Sequence, residues 1–255
     1  GELGASVLGN PAVADMVKHH SVLYRDLADP LGVLRHRSKT GLRDYWSYVP
    51  GSGSPDEGHR EYSQLMSSSL ALIGDHILNS YPLDGYRSLV DVAGGTGNFA
   101  RAVKKRYPDL SATVLDLPEV VTEAKDQALN SSVRFVATDM FHSPLPADAE
   151  LFSLVRVLHD HDDQPVSQLL ARLHSALRPG GHLLIAEPMA GTAGAEPIGD
   201  TYFGFYLWAM GSGRPRTAEE LRAMCLAAGF TGVREFKTPI PALTRLLVAE
   251  KAVNS

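Results

Sequence analysis

The sequence predicts an α/β fold: a seven-stranded, mostly parallel sheet with helices on both faces, preceded by a helical region. Three observations carry this expectation. From Arg87 onward, short apolar runs alternate with helix-length segments. The first of those runs leads straight into a glycine-rich turn, Gly94, Gly95 and Gly97. The residues before about position 82 read instead as helices joined by polar loops.

Taken in order, Ala12 to Leu27 sets Val13, Met16, Val17, Leu23 and Leu27 at broadly helical spacing. Gly51 to Pro55 is a loop. Tyr62, Leu65, Met66, Ser69, Leu72, Ile73 and Ile77 share one face of a further helix, which Tyr81 and Pro82 end. Strands follow at Ser88 to Val92, Ala112 to Leu115, Val133 to Ala137, Leu151 to Val155 and His182 to Ala186. The helices between them are expected at Gly97 to Arg106, Pro118 to Leu129 and Gln164 to Leu177, with Arg178 to Gly181 as a turn. A last helix starts from a Thr217 cap with Glu219 and Glu220 at its positive end. Val233 to Phe236 and Thr244 to Glu250 close the chain, and their short link implies antiparallel pairing. The organisation is therefore a helical unit, 1–82, and a sheet domain, 83–255.

Composition narrows the function. The chain has 255 residues, 44% apolar and 21% charged, an ordinary globular balance. A net charge of -5 argues against a nucleic-acid footprint. No apolar run is long enough to span a bilayer, and the first residues lack a signal-peptide pattern. The lone cysteine, Cys225, reads as a buried helix residue, and a reducing, cytoplasmic setting fits it.

The most informative stretch is Leu89-Val-Asp-Val-Ala-Gly-Gly-Thr-Gly97, a buried strand, a glycine turn and the start of a helix. Such a turn lets a ligand approach the backbone at the carboxyl end of the strand. Gly95 to Ala100, with Asp116 about 20 residues on, also satisfies the dinucleotide pattern. Spacing alone does not separate NAD from S-adenosylmethionine (SAM), because both present an adenosine ribose. Two features favour SAM. Asp91 lies in the strand just before the glycines, where a carboxylate suits an amino group and sits badly beside a pyrophosphate. Asp139 ends the third strand and is followed by Met140 and Phe141, an acid and apolar groups that suit an adenine ring. Taken singly, Asp116 and Asp139 also read as loop caps; taken with the glycine turn, that reading is much weaker.

With Leu115-Asp-Leu-Pro118, Thr138-Asp-Met-Phe141, Arg156-Val-Leu-His-Asp160, Arg178-Pro-Gly-Gly181 and Ile185-Ala-Glu-Pro188, the chain resembles the SAM-dependent O-methyltransferases of the caffeate and acetylserotonin type. Bacterial polyketide and carotenoid enzymes belong to the same group. The resemblance covers essentially the whole chain and implies a Rossmann-like SAM methyltransferase fold. It implies that Asp91, Gly94, Gly95, Gly97, Asp116, Leu117, Asp139, Met140, Phe141 and Arg156 bind SAM. It also implies that His159 is the general base and that Glu187 orients it. Tyr62, Met66 and Ser69, with Asp160, Phe203, Tyr206 and Met210, match substrate-lining positions. No metal is implied, and His161, Asp162 and Asp163 read as solvated charge and helix capping.

Within the family, Arg156 to Asp163, Glu187 to Met189 and Gly199 to Tyr206 look most like the carotenoid enzymes that methylate hydroxyneurosporene or demethylspheroidene. The expected reaction is methyl transfer to a hydroxyl of a bulky apolar molecule, with a hydroxycarotenoid as first choice. Transfer to an aromatic polyketide, or to carbon of a bacteriochlorophyllide, remains open. So do an NAD-dependent oxidoreductase and a non-catalytic SAM-binding module. Three positions depart from the family pattern: Ala93 for a glycine, Pro215 for a second glutamate and Val155 for a lysine. The family normally begins with a winged-helix dimerisation region. This chain begins near the linker that follows it, and a homodimer is expected of the complete form.

Overall fold

The computed structural model describes residues 11–35, 40–45, 73–127 and 132–253. Among the described residues, the first elements are the helices α1 (Pro11–Asp26), α2 (Pro30–Arg35) and α3 (Gly41–Tyr45). Helix α4 occupies 73–80. The sheet domain then runs β1 (Ser88–Val92), α5 (Asn98–Arg106), β2 (Ser111–Asp116), α6 (Pro118–Gln127), β3 (Arg134–Ala137) and β4 (Ala149–Val155). A single 3₁₀ turn (Leu158–Asp160) precedes α7 (Asp163–Ala176) and β5 (Leu177–Glu187). A π-helical turn (Pro197–Tyr202) leads into α8 (Phe203–Met210), followed by α9 (Ala218–Ala227), β6 (Gly232–Phe236) and β7 (Arg245–Glu250).

The sheet order is β3-β2-β1-β4-β5-β7-β6. The first five strands pair in parallel, and β7 runs antiparallel between β5 and β6. Strand alternation sends the two faces into separate cores. Val90, Val92, Phe152, Leu154, Leu183 and Ile185 pack against α7 and α9. Leu89, Val114, Leu151, Val155 and Leu184 pack against α4 and α5. A third core joins Leu23, Val33 and Leu42 of the opening helices to Tyr206, Leu207 and Met210 of α8.

One element differs from the expectation. Arg178 to Gly181 does not form a separate turn before β5; the strand already begins at Leu177. The pairing of β4 with β5 jumps from Ala149–Leu177 to Leu151–His182, so the turn residues are absorbed as a bulge. Gly180 adopts φ 71, and its N–H donates to the Lys251 carbonyl (3.0 Å), which anchors the bulge to the chain beyond β7. The Thr217 cap stands as expected. Its hydroxyl accepts from the Glu220 N–H, and the Glu220 carboxylate accepts from the Thr217 N–H. Cys225 is fully buried, and burial pushes its thiol up to about 12.

Candidate active site

Strands β1, β4 and β5 lie side by side and parallel, so the segments after their carboxyl ends share one edge of the sheet. The sequence places the glycine turn after β1, His159 after β4 and Glu187 at the end of β5. Topology therefore gathers residues that lie far apart along the chain.

At the glycine turn, Asp91 is 1% exposed and stands opposite Ser153 in the β1–β4 register. The Ser153 hydroxyl donates to Asp91 Oδ1 (2.6 Å), while Asp91 Oδ2 is buried with no hydrogen-bond partner. A Cβ on Gly94 would lie 2.5 Å from that orphan oxygen. Burial raises the Asp91 carboxyl to about 7, against the Ser153 hydrogen bond, and the nearby Asp116 adds to the rise. A buried, unpaired carboxylate oxygen is costly, and a cationic ligand group would satisfy it. Gly97 needs its missing side chain too: φ is 82, and a Cβ would sit 2.8 Å from the Phe135 ring. Ala93 adopts φ 52 without that freedom.

Asp116, at the end of β2, accepts from the Gly95 N–H (2.7 Å) and the Leu117 N–H (2.8 Å). It thereby ties the turn to the neighbouring strand. Asp139 accepts from the Phe141 N–H (2.8 Å) and pairs with His142 Nδ1 (2.7 Å). Desolvation works to raise the Asp139 carboxyl, but the His142 and Phe141 hydrogen bonds hold it below its ordinary range. Arg172 of α7 donates to the Met140 carbonyl (3.1 Å), bracing the same loop.

His159 is enclosed. Its Nδ1 is bonded to Glu187 Oε2, and its Nε2 lies 3.2 Å from Asp160 Oδ1. Burial alone would lower the imidazole, but the Asp160 and Glu187 carboxylates raise it to about 10. Glu187 is 2% exposed, and its Oε1 accepts from the N–H groups of Val157 (2.9 Å) and Leu158 (2.7 Å). It caps the turn and fixes the imidazole with one carboxylate. Phe203 meets His159 edge-on at 6.1 Å, and the Arg156 guanidinium lies 5.7 Å over the same Phe203 ring. Arg156 itself has φ 57 and a buried Nε without a partner.

Two expectations need correction. His161 is not solvated: its ring packs edge-on against Phe141 at 5.0 Å, and burial lowers its pKa. Asp162 occupies the N-cap position of α7, yet its side chain makes no cap bond and accepts from the Gly213 N–H (2.9 Å) instead. Asp163 pairs with Arg214 and Arg216. Asp162 and Asp163 remain exposed, as expected of solvated charge. What differs is the capping role: the segment 212–216 packs beside them and supplies the Gly213 N–H and the Arg214 and Arg216 guanidinium groups that their carboxylates take as partners. Among the described residues, no group of three or more His, Cys, Asp or Glu side chains is set to hold a metal.

Of the expected substrate-lining residues, Phe203 and Asp160 adjoin His159. Tyr206 and Met210 lie within the helical core, where the Tyr206 hydroxyl and His19 Nε2 share a 2.7 Å hydrogen bond. Tyr62, Met66 and Ser69 lie outside the described residues. The sequence reading missed Ser153 and Arg216. A serine inside the otherwise apolar Leu151-Phe-Ser-Leu-Val155 was the available signal for Ser153.

Sheet order, glycine turn and acid-tipped strands together define a doubly wound α/β domain of the nucleotide-cofactor class. Residues 24–231 match the profile of the O-methyltransferase domain family, and the chain belongs to that family. The demethylspheroidene O-methyltransferase of Rhodobacter capsulatus is 42% identical over 250 residues, covering 97% of this chain and 63% of that relative. The Cereibacter sphaeroides enzyme of the same name is 41% identical over 240 residues, 91% of this chain and 63% of the relative. The chain thus spans 63% of the length of these two relatives. Human N-acetylserotonin methyltransferase, solved in complex with SAM, superposes with a TM-score of 0.80 at 25% identity, covering 94% of this chain and 70% of that one. Membership of this family decides against the oxidoreductase reading that the glycine spacing left open. No helix among the described residues is long and apolar enough to cross a membrane.

Proposed function

We propose that this chain binds SAM and serves methyl transfer to a hydroxyl of a bulky apolar molecule, with a hydroxycarotenoid as the favoured acceptor. The observation that carries the cofactor is the buried, unpartnered Asp91 Oδ2 beside the Gly94 backbone. A carboxylate there fits the amino group of SAM. Asp116 would take the ribose, exchanging or sharing its bonds to Gly95 and Leu117, and Asp139, Met140 and Phe141 would hold the adenine. When bound, SAM supplies an electrophilic methyl group on sulfur. The carotenoid preference rests on the two demethylspheroidene relatives.

His159 is the base in this reading. Its Nε2 accepts the acceptor's hydroxyl proton, while Glu187 holds Nδ1 and fixes the ring. Asp160 competes for Nε2, so the imidazole must first be neutral and free of that carboxylate. One observation favours a second role: an imidazole raised to about 10 is protonated near neutral pH, and would then orient the acceptor oxygen by donating to it. A His159→Ala variant separates base from scaffold. Loss of turnover with retained S-adenosylhomocysteine binding supports His159 as a catalytic residue; unchanged turnover removes it. Phe203 is proposed as part of the acceptor wall, and the buried Tyr206 and Met210 as its support. The protein is proposed to be a cytoplasmic homodimer.

A further inference from the structure

We infer that Arg216 is a positioning residue for His159, clamping the carbonyl side of the short turn that carries it; this rests on the reading of His159 as the reacting base. The turn Leu158–Asp160 is three residues long, too short to define its own geometry. Its N–H side is pinned by Glu187, which accepts from Val157 and Leu158. Its carbonyl side is pinned by one segment. Arg216 Nη1 donates to the Leu158 carbonyl (2.8 Å), and Nη2 donates to the His161 carbonyl (2.7 Å). Between them, the Arg214 N–H donates to the His159 carbonyl (3.0 Å) and the Ser212 hydroxyl to the Asp160 carbonyl (2.8 Å). Every carbonyl from Leu158 to His161 is therefore held from residues 212–216.

Arg216 is the centre of this clamp. It is 2% exposed, so water does not substitute for its bonds. Asp163 Oδ1 orients the guanidinium through Nε (2.9 Å) and Nη2 (2.8 Å). The contact is close-packed: a Cβ on Gly213 would fall 2.0 Å from the His159 carbonyl oxygen. Only a planar fork reaches both flanking carbonyls at once; a lysine offers a single point charge. A turn held at both ends fixes where Nε2 points, and a misplacement of about 1 Å costs on the order of 100-fold in rate.

The groups facing the imidazole are Asp160 and Glu187, with Phe203 at its edge and Arg156 over that ring. His161, Arg216, Arg214 and Asp163 are the other charged and titratable groups packed against the turn. Loosening the clamp lets Asp160 and Glu187 drift from the ring, so the His159 titration midpoint falls toward its ordinary value.

The test is an NMR titration of the His159 ring in Arg216→Lys and Arg216→Gln, with steady-state turnover of the same proteins. Both variants are expected to lower the midpoint by about one pH unit or more and kcat by roughly 10- to 100-fold, with KM and S-adenosylhomocysteine affinity within about threefold. Loss in the lysine variant points to geometry rather than charge. A wild-type midpoint in both folded variants overturns the inference. If both unfold, Ser212→Ala removes only the Asp160 carbonyl bond and is expected to shift the midpoint the same way by a smaller step; an unmoved midpoint there overturns it. Because the midpoint is read without turnover, an active His159→Ala enzyme would overturn the base reading alone and leave the clamp to the titration.

Discussion

Replacing Asp160 by asparagine changes the charge beside His159 and little else, because the two side chains have nearly the same shape. In the native site two carboxylates raise the imidazole from 6.5 to about 10 despite burial, with Asp160 the larger contributor. A base at about 10 is neutral in roughly one molecule per thousand at pH 7, and that fraction grows tenfold per pH unit. Wild-type turnover should therefore climb with pH across the range from about 7 to about 10. Each unit by which Asp160→Asn lowers the midpoint raises the neutral fraction at pH 7 about tenfold. The weaker base returns part of that gain, so the net rise in kcat is about three- to tenfold per unit. Stability moves with it. A pKa raised above 6.5 stabilises the fold fully below that pH, and the contribution fades as pH rises toward 10. Wild-type Tm should fall over that interval, and the variant should lose part of this dependence. The assay is initial rate against pH for both proteins. A variant whose profile overlays the wild type, or a wild-type rate that falls as pH rises from 7, refutes the reasoning.

Further outcomes follow from the same geometry. Asp91→Asn should weaken S-adenosylhomocysteine binding by about 10- to 100-fold in calorimetry, the worth of one charged hydrogen bond. Since the Asp91 carboxyl stands at about 7, wild-type affinity should fall as pH drops below 7, by up to about tenfold per unit, and the variant should lose that dependence. Thr217→Ala removes the capping box of α9 and should cost about 1 kcal/mol, lowering Tm by about 2–4 °C in thermal unfolding. Ala93→Gly relieves a left-handed backbone at φ 52; set against the greater freedom of an unfolded glycine, it should raise stability by about 0–1 kcal/mol in urea unfolding. Light scattering should report the dimer proposed above, and a monomer would remove that proposal.

Most of the sheet was legible because its signals are local. A buried run, a glycine turn and a helix follow one another along the chain, and alternation reports the faces without any knowledge of neighbours. The β5 bulge was not legible, because Arg178-Pro-Gly-Gly181 has turn chemistry and only the pairing with Ala149 and Lys251 draws it into the strand. The same limit applies at the site. His159, Glu187 and Asp91 stand out by position on strand ends, whereas Arg216 acts through carbonyls of residues more than fifty positions away. A lone arginine in a loop carries no such signal. Nor could spacing reveal that His161 turns its ring onto Phe141, since the two lie twenty positions apart and meet only in the folded chain.

The most direct test of the central claim is transfer of an isotopically labelled methyl group from SAM, read by mass spectrometry across hydroxylated carotenoids, bacteriochlorophyllides and aromatic polyketides. Label on a carotenoid oxygen, abolished in His159→Ala, is the predicted result. Label on carbon, or full transfer by the His159→Ala protein, would contradict it.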